Sequence, residues 1–455
     1  MDIDFIFWKK ILDNFSKKHH LKTPFTDLPP LKIIYNSIID NYLLVNHNYT
    51  QVNKKQLINK LFEESIIFDI LDIIQTNRNK YDLKIMTFLD EYKLLSRNEI
   101  IDWISLNGSL LLKDFPDIIK KHHLNIEPSL LELFGDFVSI DILLEVEEFI
   151  TQHHTYIMHT VKHKIILQYY SKNTPNPDLL QRIFQRIALM LLFTKKKGTL
   201  KISIWDCELS KKFPSDSTNK ILGVREVNSG CTKFNIFSEH LGEIYIWRRE
   251  EVEKVLVHEL IHALGLDFFM YPEKFNTTMK QQFNLPKSIE IRLGEAYVET
   301  WANLINTVLV SYLSKQKKDF KLFMSNLYYE FKFSLLQCTK ILKFYGFQCF
   351  QDCKHAVYSR DTTDFFKQKS SIFSYYLVKT MIFFNLNSFL KYCGLYNDNI
   401  LCFQQKNFPE FYTLINQSIN NIKFSSLMDT IISQKLEINC SILENSLRMT
   451  LLELF

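Results

Sequence analysis

The chain has 455 residues, 46% hydrophobic and 23% charged, with a formal net charge of +5. Such a composition excludes a disordered chain and leaves room for two or three domains with a large core. The positive balance is small and dispersed, so nucleic acid is not an expected partner.

The N-terminus, MDIDFIFWKKILDNFSKKHH, carries acids at Asp2 and Asp4 and no small-residue cleavage site after an apolar core, so it does not read as a signal peptide. Phe5, Trp8, Ile11, Leu12 and Phe15 fall at helical spacing and predict an amphipathic helix that packs on the domain. No run of 18 apolar residues predicts a membrane span. Eight cysteines, none in the first 200 residues, do not form a secreted disulfide framework. Together these point to an intracellular, cytoplasmic protein. Sparse Gly and Pro beside 38 Phe and 21 Tyr fit the AT-rich codons of some large DNA viruses or protists.

Residues 1–175 read as a helical region, with 3–4 spacing in Lys54 to Gln75 and Glu99 to Leu112 and breaks at Pro29-Pro30 and Asp114-Phe115-Pro116. His153, His154, His159 and His163 are read as a polar helix face. SKNTPNP, Ser171 to Pro177, is the expected boundary. A helix follows over Asp178 to Thr194. Then LKISIWDC (from Leu200), ILGVREVNSGCT (from Ile221) and GEIYIWR (from Gly242) alternate as strands. Val227-Asn228-Ser229-Gly230 is the candidate edge strand of a cleft, because Gly allows close backbone approach; a simple turn there is the rival reading.

Next comes VLVHELIHALGLD, Val255 to Asp267. Residues four apart share one helical face, so His258 and His262 can turn their imidazoles to one metal ion, with Glu259 flanking. Chance supplies roughly 0.02 H-E-x-x-H matches in a chain of this composition. Burying two imidazoles and a carboxylate among Val and Leu is costly unless something pairs with them. Acids at 250, 251 and 253 suit the helix start, and Gly265 its C-terminal cap.

The motif resembles the zinc helix of the zincin metallopeptidases. The metzincin variant needs a third histidine where this chain has Phe268, and Asp267, one place short, is expected to cap the turn rather than bind metal. In IEIRLGEAYVETWANLIN, Ile289 to Asn306, Glu295 and Glu299 lie four apart. That segment resembles the E-x-x-x-D segment of thermolysin-like gluzincins, with Glu for Asp. The resemblance implies Glu295 as third ligand, Glu299 as hydrogen-bond acceptor for a zinc histidine, and one Zn²⁺ per chain. It also implies Glu259 as general base in peptide-bond hydrolysis, with a peptide or protein substrate. Gly294 is expected to let the two helices approach closely.

From about residue 315 the chain is again helical and aromatic. An oxyanion donor is expected from beyond the ligands, and Tyr375, Tyr376, His355 and Tyr297 are the candidates, with Asn228 a possible substrate contact. Cys349, Cys353 and His355 are read as structural. The expected class is α+β, mostly α: a helical N-terminal region (1–175), a zincin-like catalytic region (176–314) with a small twisted sheet on the active-site helix, and a helical C-terminal region (315–455). Alternatives are an inactive, zincin-derived interaction protein and a hydrolase of non-peptide amides.

Overall fold

The computed structural model describes residues 3–25, 28–46, 51–57, 137–139, 142, 145–146, 149–160, 162–214, 220–233, 241–268, 270–283, 285–286, 289–355, 366–434 and 440–453. Two helices, α1 (Ile3–Lys18) and α2 (Leu28–Asn46), lead into the strands β1 (Gln51–Leu57), β2 (Gln152–His159) and β3 (His163–Ser171). Then follow α3 (Pro177–Leu191), β4 (Gly198–Trp205), β5 (Ile221–Leu222), α4 (Val224–Val227), β6 (Gly230–Lys233) and β7 (Glu243–Ile246). The centre of the chain is α5 (Val252–Ala263), α6 (Glu273–Gln282) and α7 (Leu293–Leu313). The remainder is α8 (Phe320–Phe344), α9 (Asp352–His355), β8 (Lys367–Gln368), a π-helical turn (Phe373–Val378) running into α10 (Lys379–Phe384), α11 (Leu386–Tyr396), α12 (Phe408–Ile419), α13 (Ile422–Ser433) and α14 (Ser441–Asn445). Among the described residues the fold is mixed and mostly helical, as the pattern predicted, with one six-stranded sheet and one two-stranded sheet, β5-β8.

The six-stranded sheet has the order β1-β2-β3-β4-β7-β6, with β3–β4 and β4–β7 parallel and the other pairs antiparallel. Parallel neighbours need a crossover, and α3 supplies the one between β3 and β4. Asn176 starts α3, its Oδ1 accepting from the Asp178 amide at 2.9 Å, with Pro177 in the first turn. Ile165, Leu167, Leu200, Ile202, Ile204, Ile244 and Ile246 alternate onto one face of the sheet and join the core. Helix α5 lies against α3, α7, β6 and β7. α7 is buried on all sides along most of its length, in keeping with its Ala, Val, Trp and Leu content. On α1, Leu12 and Phe15 are buried as the amphipathic reading expected, and the helix packs on α8.

Several expectations are corrected. Gln152–His159 and His163–Ser171 are strands, not helix, so His153, His154 and His159 lie on β2 and His163 on β3. Their alternation was hidden because His153, His154 and His163 are polar yet buried, His153 and His154 on opposite faces of β2; the His153 ring stacks on Tyr170 at 4.3 Å. The strands β3 and β4, on either side of the Ser171–Pro177 segment, pair in one sheet. Lys54–Leu57, the start of a stretch read as helical, is strand; the rest of that stretch, Glu99 to Leu112 and the Asp114–Pro116 break lie outside the described residues. Pro29-Pro30 begins α2 rather than breaking it, which suits a residue with no N–H to contribute. The predicted strand Ile221–Thr232 is two short strands around α4, which forms because Glu226 reaches back to accept the Gly223 amide at 2.7 Å. The eight cysteines form no disulfide. Among the described residues no helix is long and apolar enough to cross a membrane.

Candidate metal centre

Helix α5 carries His258 and His262 one turn apart, and both rings face α7. Their Nε2 atoms lie 3.2 Å from each other. Glu295, in the first turn of α7, places its Oε2 at 3.3 Å from His258 Nε2 and 3.4 Å from His262 Nε2. That oxygen is buried and has no hydrogen-bond partner. Among the described residues this is the single group of side chains arranged to hold a metal ion.

Each imidazole is oriented through its far nitrogen. His258 Nδ1 lies 2.8 Å from Glu299 Oε2, the role expected for Glu299. His262 Nδ1 lies 2.7 Å from Asp267 Oδ2. Asp267 is therefore not among the three grouped side chains, but it holds the His262 ring, a part that the reading of it as a turn cap did not assign. With Nδ1–H donating to a carboxylate, each ring presents its Nε2 lone pair to the ion. The signal for Asp267 was its place just beyond the Gly265 cap: Gly265 has φ +65°, and the reversal brings Asp267 back beside His262.

Gly294 gives the start of α7 close approach to the loop that follows α5 rather than to α5 itself, because a Cβ there would run into the carbonyl oxygen of Phe268. Phe268 itself is buried among Tyr271, Phe403, Phe408 and Phe411, which explains an aromatic at that place.

Behind the site is a buried ionic layer that sequence reasoning missed. Lys254, one turn before His258, donates to Glu299 and touches Met449. Glu251 begins α5 in the left-handed region, φ +64°, although it is not glycine. Its carboxylate accepts the amides of Met449 and Thr450 at 2.5 Å each and Lys211 Nζ at 2.6 Å. The left-handed start thus turns an acid inward to hold an extended buried segment. Glu250 accepts the Lys211 amide and Glu253 pairs with Arg182 and Arg186, so the acids at the helix start make specific contacts besides facing the dipole.

Electrostatics follow from this packing. Burial opposes charge on His258, but the neighbouring carboxylates of Glu295 and Glu299 outweigh it and raise its pKa. His262 is raised well above the ordinary value, burial being outweighed by Asp267 and Glu295. Glu295 is driven well below the carboxylate range by His262 and His258 in spite of burial. Burial raises Glu259, the two imidazoles countering in part.

Glu259 accepts a hydrogen bond from Thr232 Oγ1 of β6 at 2.8 Å, a partner that no local pattern marks. Both line a cavity of about 430 Å³ together with His258, His262 and Glu295. The edge strand of the sheet, Gly230–Lys233, forms one bank. The edge therefore starts two residues later than Asn228. Asn228 lines the cavity, but its Oδ1 accepts Ser370 Oγ at 2.6 Å and its Nδ2 donates to the Phe137 carbonyl at 3.4 Å.

Of the oxyanion candidates, Tyr375 lines the cavity, its ring centroid 6.0 Å from that of His258. The π-helical turn offsets it from Tyr376, whose hydroxyl is buried and donates to the Leu447 carbonyl. Tyr297 is likewise buried, donating to the Leu401 carbonyl at 2.9 Å. Neither Tyr376 nor Tyr297 reaches the cleft. His355 ends α9, and its side chain lies outside those described.

A scan against protein-family models matched none, and searches of curated proteins and of solved structures found no significant match.

Proposed function

We propose that the protein is a zinc peptidase of the zincin type with a distal glutamate ligand. The observation that carries this reading is the triangle of His258 Nε2, His262 Nε2 and Glu295 Oε2, with sides of 3.2, 3.3 and 3.4 Å. Bonds of about 2.0–2.1 Å to a tetrahedral ion put neighbouring ligand atoms about 3.3–3.4 Å apart. An octahedral ion with the same bond lengths would want about 2.9 Å. Two imidazoles and one carboxylate are also a zinc set, with a fourth position left for substrate.

When bound, zinc supplies a Lewis acid that polarises a carbonyl and makes water nucleophilic at neutral pH. Glu259 takes the proton of the attacking water and passes it to the leaving amine. Burial keeps its pKa raised, closer to the working pH. Thr232 holds that carboxylate on the substrate side. The Tyr375 hydroxyl stays protonated, since burial and the carboxylates Glu295, Glu259 and Glu299 raise its pKa well above the ordinary value. It donates to the developing oxyanion. The β6 edge hydrogen-bonds an extended peptide backbone.

Metal affinity is expected to depend steeply on pH. Both imidazoles have raised pKa values, so at neutral pH the metal-free site holds protons that zinc must displace. As pH falls through the raised values, above 6.5, the association constant should fall by up to roughly two log units per pH unit, one per imidazole. Competition titration with a zinc chelator from pH 6 to 8 checks this; a flat profile contradicts it. The function itself is tested by a peptide library incubated with zinc-loaded protein. Chelator-sensitive cleavage, restored by zinc, is the expected result, and intact peptides beside a stoichiometric metal would reject it.

A further inference from the structure

Residues 368–371 close one end of the cavity. Gln368, Lys369, Ser370 and Ser371 all line it. Gln368 Nε2 donates to the Glu290 carbonyl on one bank at 2.9 Å, and Ser370 Oγ donates to Asn228 Oδ1 on the other at 2.6 Å. The bar is braced from behind: β8 pairs with β5, the Lys369 amide donates to the Leu222 carbonyl at 2.8 Å, and Gln368 Oε1 accepts the Phe373 amide at 2.8 Å. The bar therefore joins both banks beside the start of β6. At about 430 Å³ the cavity falls within the about 300–1,000 Å³ usual for small-molecule pockets.

The direction of a substrate then follows. A peptide adding to the outer edge of β6 pairs best antiparallel, as β7 does on the inner edge. β6 runs from Gly230 to Lys233, so an antiparallel peptide points its C-terminal end at Gly230, Asn228 and the bar. Arg292 lines the same cavity with Tyr375 and Glu295. Its partner Glu290, at 2.8 Å, is exposed, and a surface pair of this kind is weak enough for the guanidinium to turn to another carboxylate.

We propose that the cleft takes the free carboxyl end of a peptide, with Arg292 binding that carboxylate, so that the protein is a carboxypeptidase. This rests on the peptidase reading. The water oxygen joins the carbonyl carbon, the C–N bond breaks, and the released amino acid or short peptide leaves with the proton on its amine.

The test compares N-acetylated peptides that end in a free carboxylate or in an amide, using zinc-loaded full-length protein and mass spectrometry. Free-acid peptides should be cut near their C-terminus with kcat/KM at least tenfold above the amides. Arg292→Met should bring that ratio close to one, mainly through KM, with zinc content unchanged, and Arg292→Lys should restore part of it. Equal cleavage of acids and amides, or cleavage throughout long capped peptides, overturns the carboxypeptidase assignment and leaves the peptidase reading standing. Cleavage of neither overturns both.

Discussion

Glu259→Gln should keep its metal and its fold and lose activity by about 10²–10⁴-fold, the range for removing a positioned general base. The amide is close in shape and can still meet the Thr232 hydroxyl, which reaches Glu259 Oε2 at 2.8 Å, but it cannot accept a proton from water. The substitution also removes the burial cost of a fully enclosed carboxylate, so thermal stability should hold or rise slightly. Steady-state kinetics with metal analysis and a melting curve separate the roles. Undiminished turnover at full zinc occupancy would remove Glu259 from the mechanism.

Glu295→Ala should have the largest effect on the metal. It leaves two protein ligands, and stoichiometric zinc should be lost on dialysis against a weak chelator. Glu299→Ala and Asp267→Ala should each be milder, about 10- to 100-fold in affinity, because each carboxylate holds an imidazole rather than the ion. The two should be comparable, since their oxygens lie 2.8 and 2.7 Å from the Nδ1 atoms they fix. Glu299→Ala should also cost stability. It strands the buried ammonium of Lys254, and breaking a buried pair from one side costs about 3–5 kcal/mol. Chelator competition on the three variants gives the ranking. Zinc retained in Glu295→Ala and lost in Asp267→Ala would show that the ligand is the other carboxylate.

The parts of this molecule legible in the sequence are those set by local periodicity. His258 and His262 are one turn apart by helix geometry alone, and Glu295 and Glu299 share a face for the same reason. The strands β4 and β7 alternate plainly and were found. β2 and β3 were not, because buried histidines sit where the pattern needs apolar residues. The part Asp267 plays was not assigned because it depends on a chain reversal at Gly265, which the sequence marks as a helix end without saying what the next residues face. Lys254, Glu251 and Thr232 act through partners 45, 198 and 27 residues away, and no local pattern carries such pairings. Tyr375 and Tyr376 are adjacent in sequence, and the packing around them, not a local pattern, decides which faces the cleft.

The most direct test of the central claim is zinc-edge X-ray absorption on protein purified without chelators, with the metal counted per chain. The account predicts one zinc per chain, two imidazole nitrogens at about 2.0–2.1 Å and carboxylate or water oxygen at about 2.0–2.2 Å, with no sulfur in the first shell. The same spectrum should lose its protein ligands in Glu295→Ala. Sulfur ligation, or a protein that takes up no zinc at any pH at which it is folded, would contradict it.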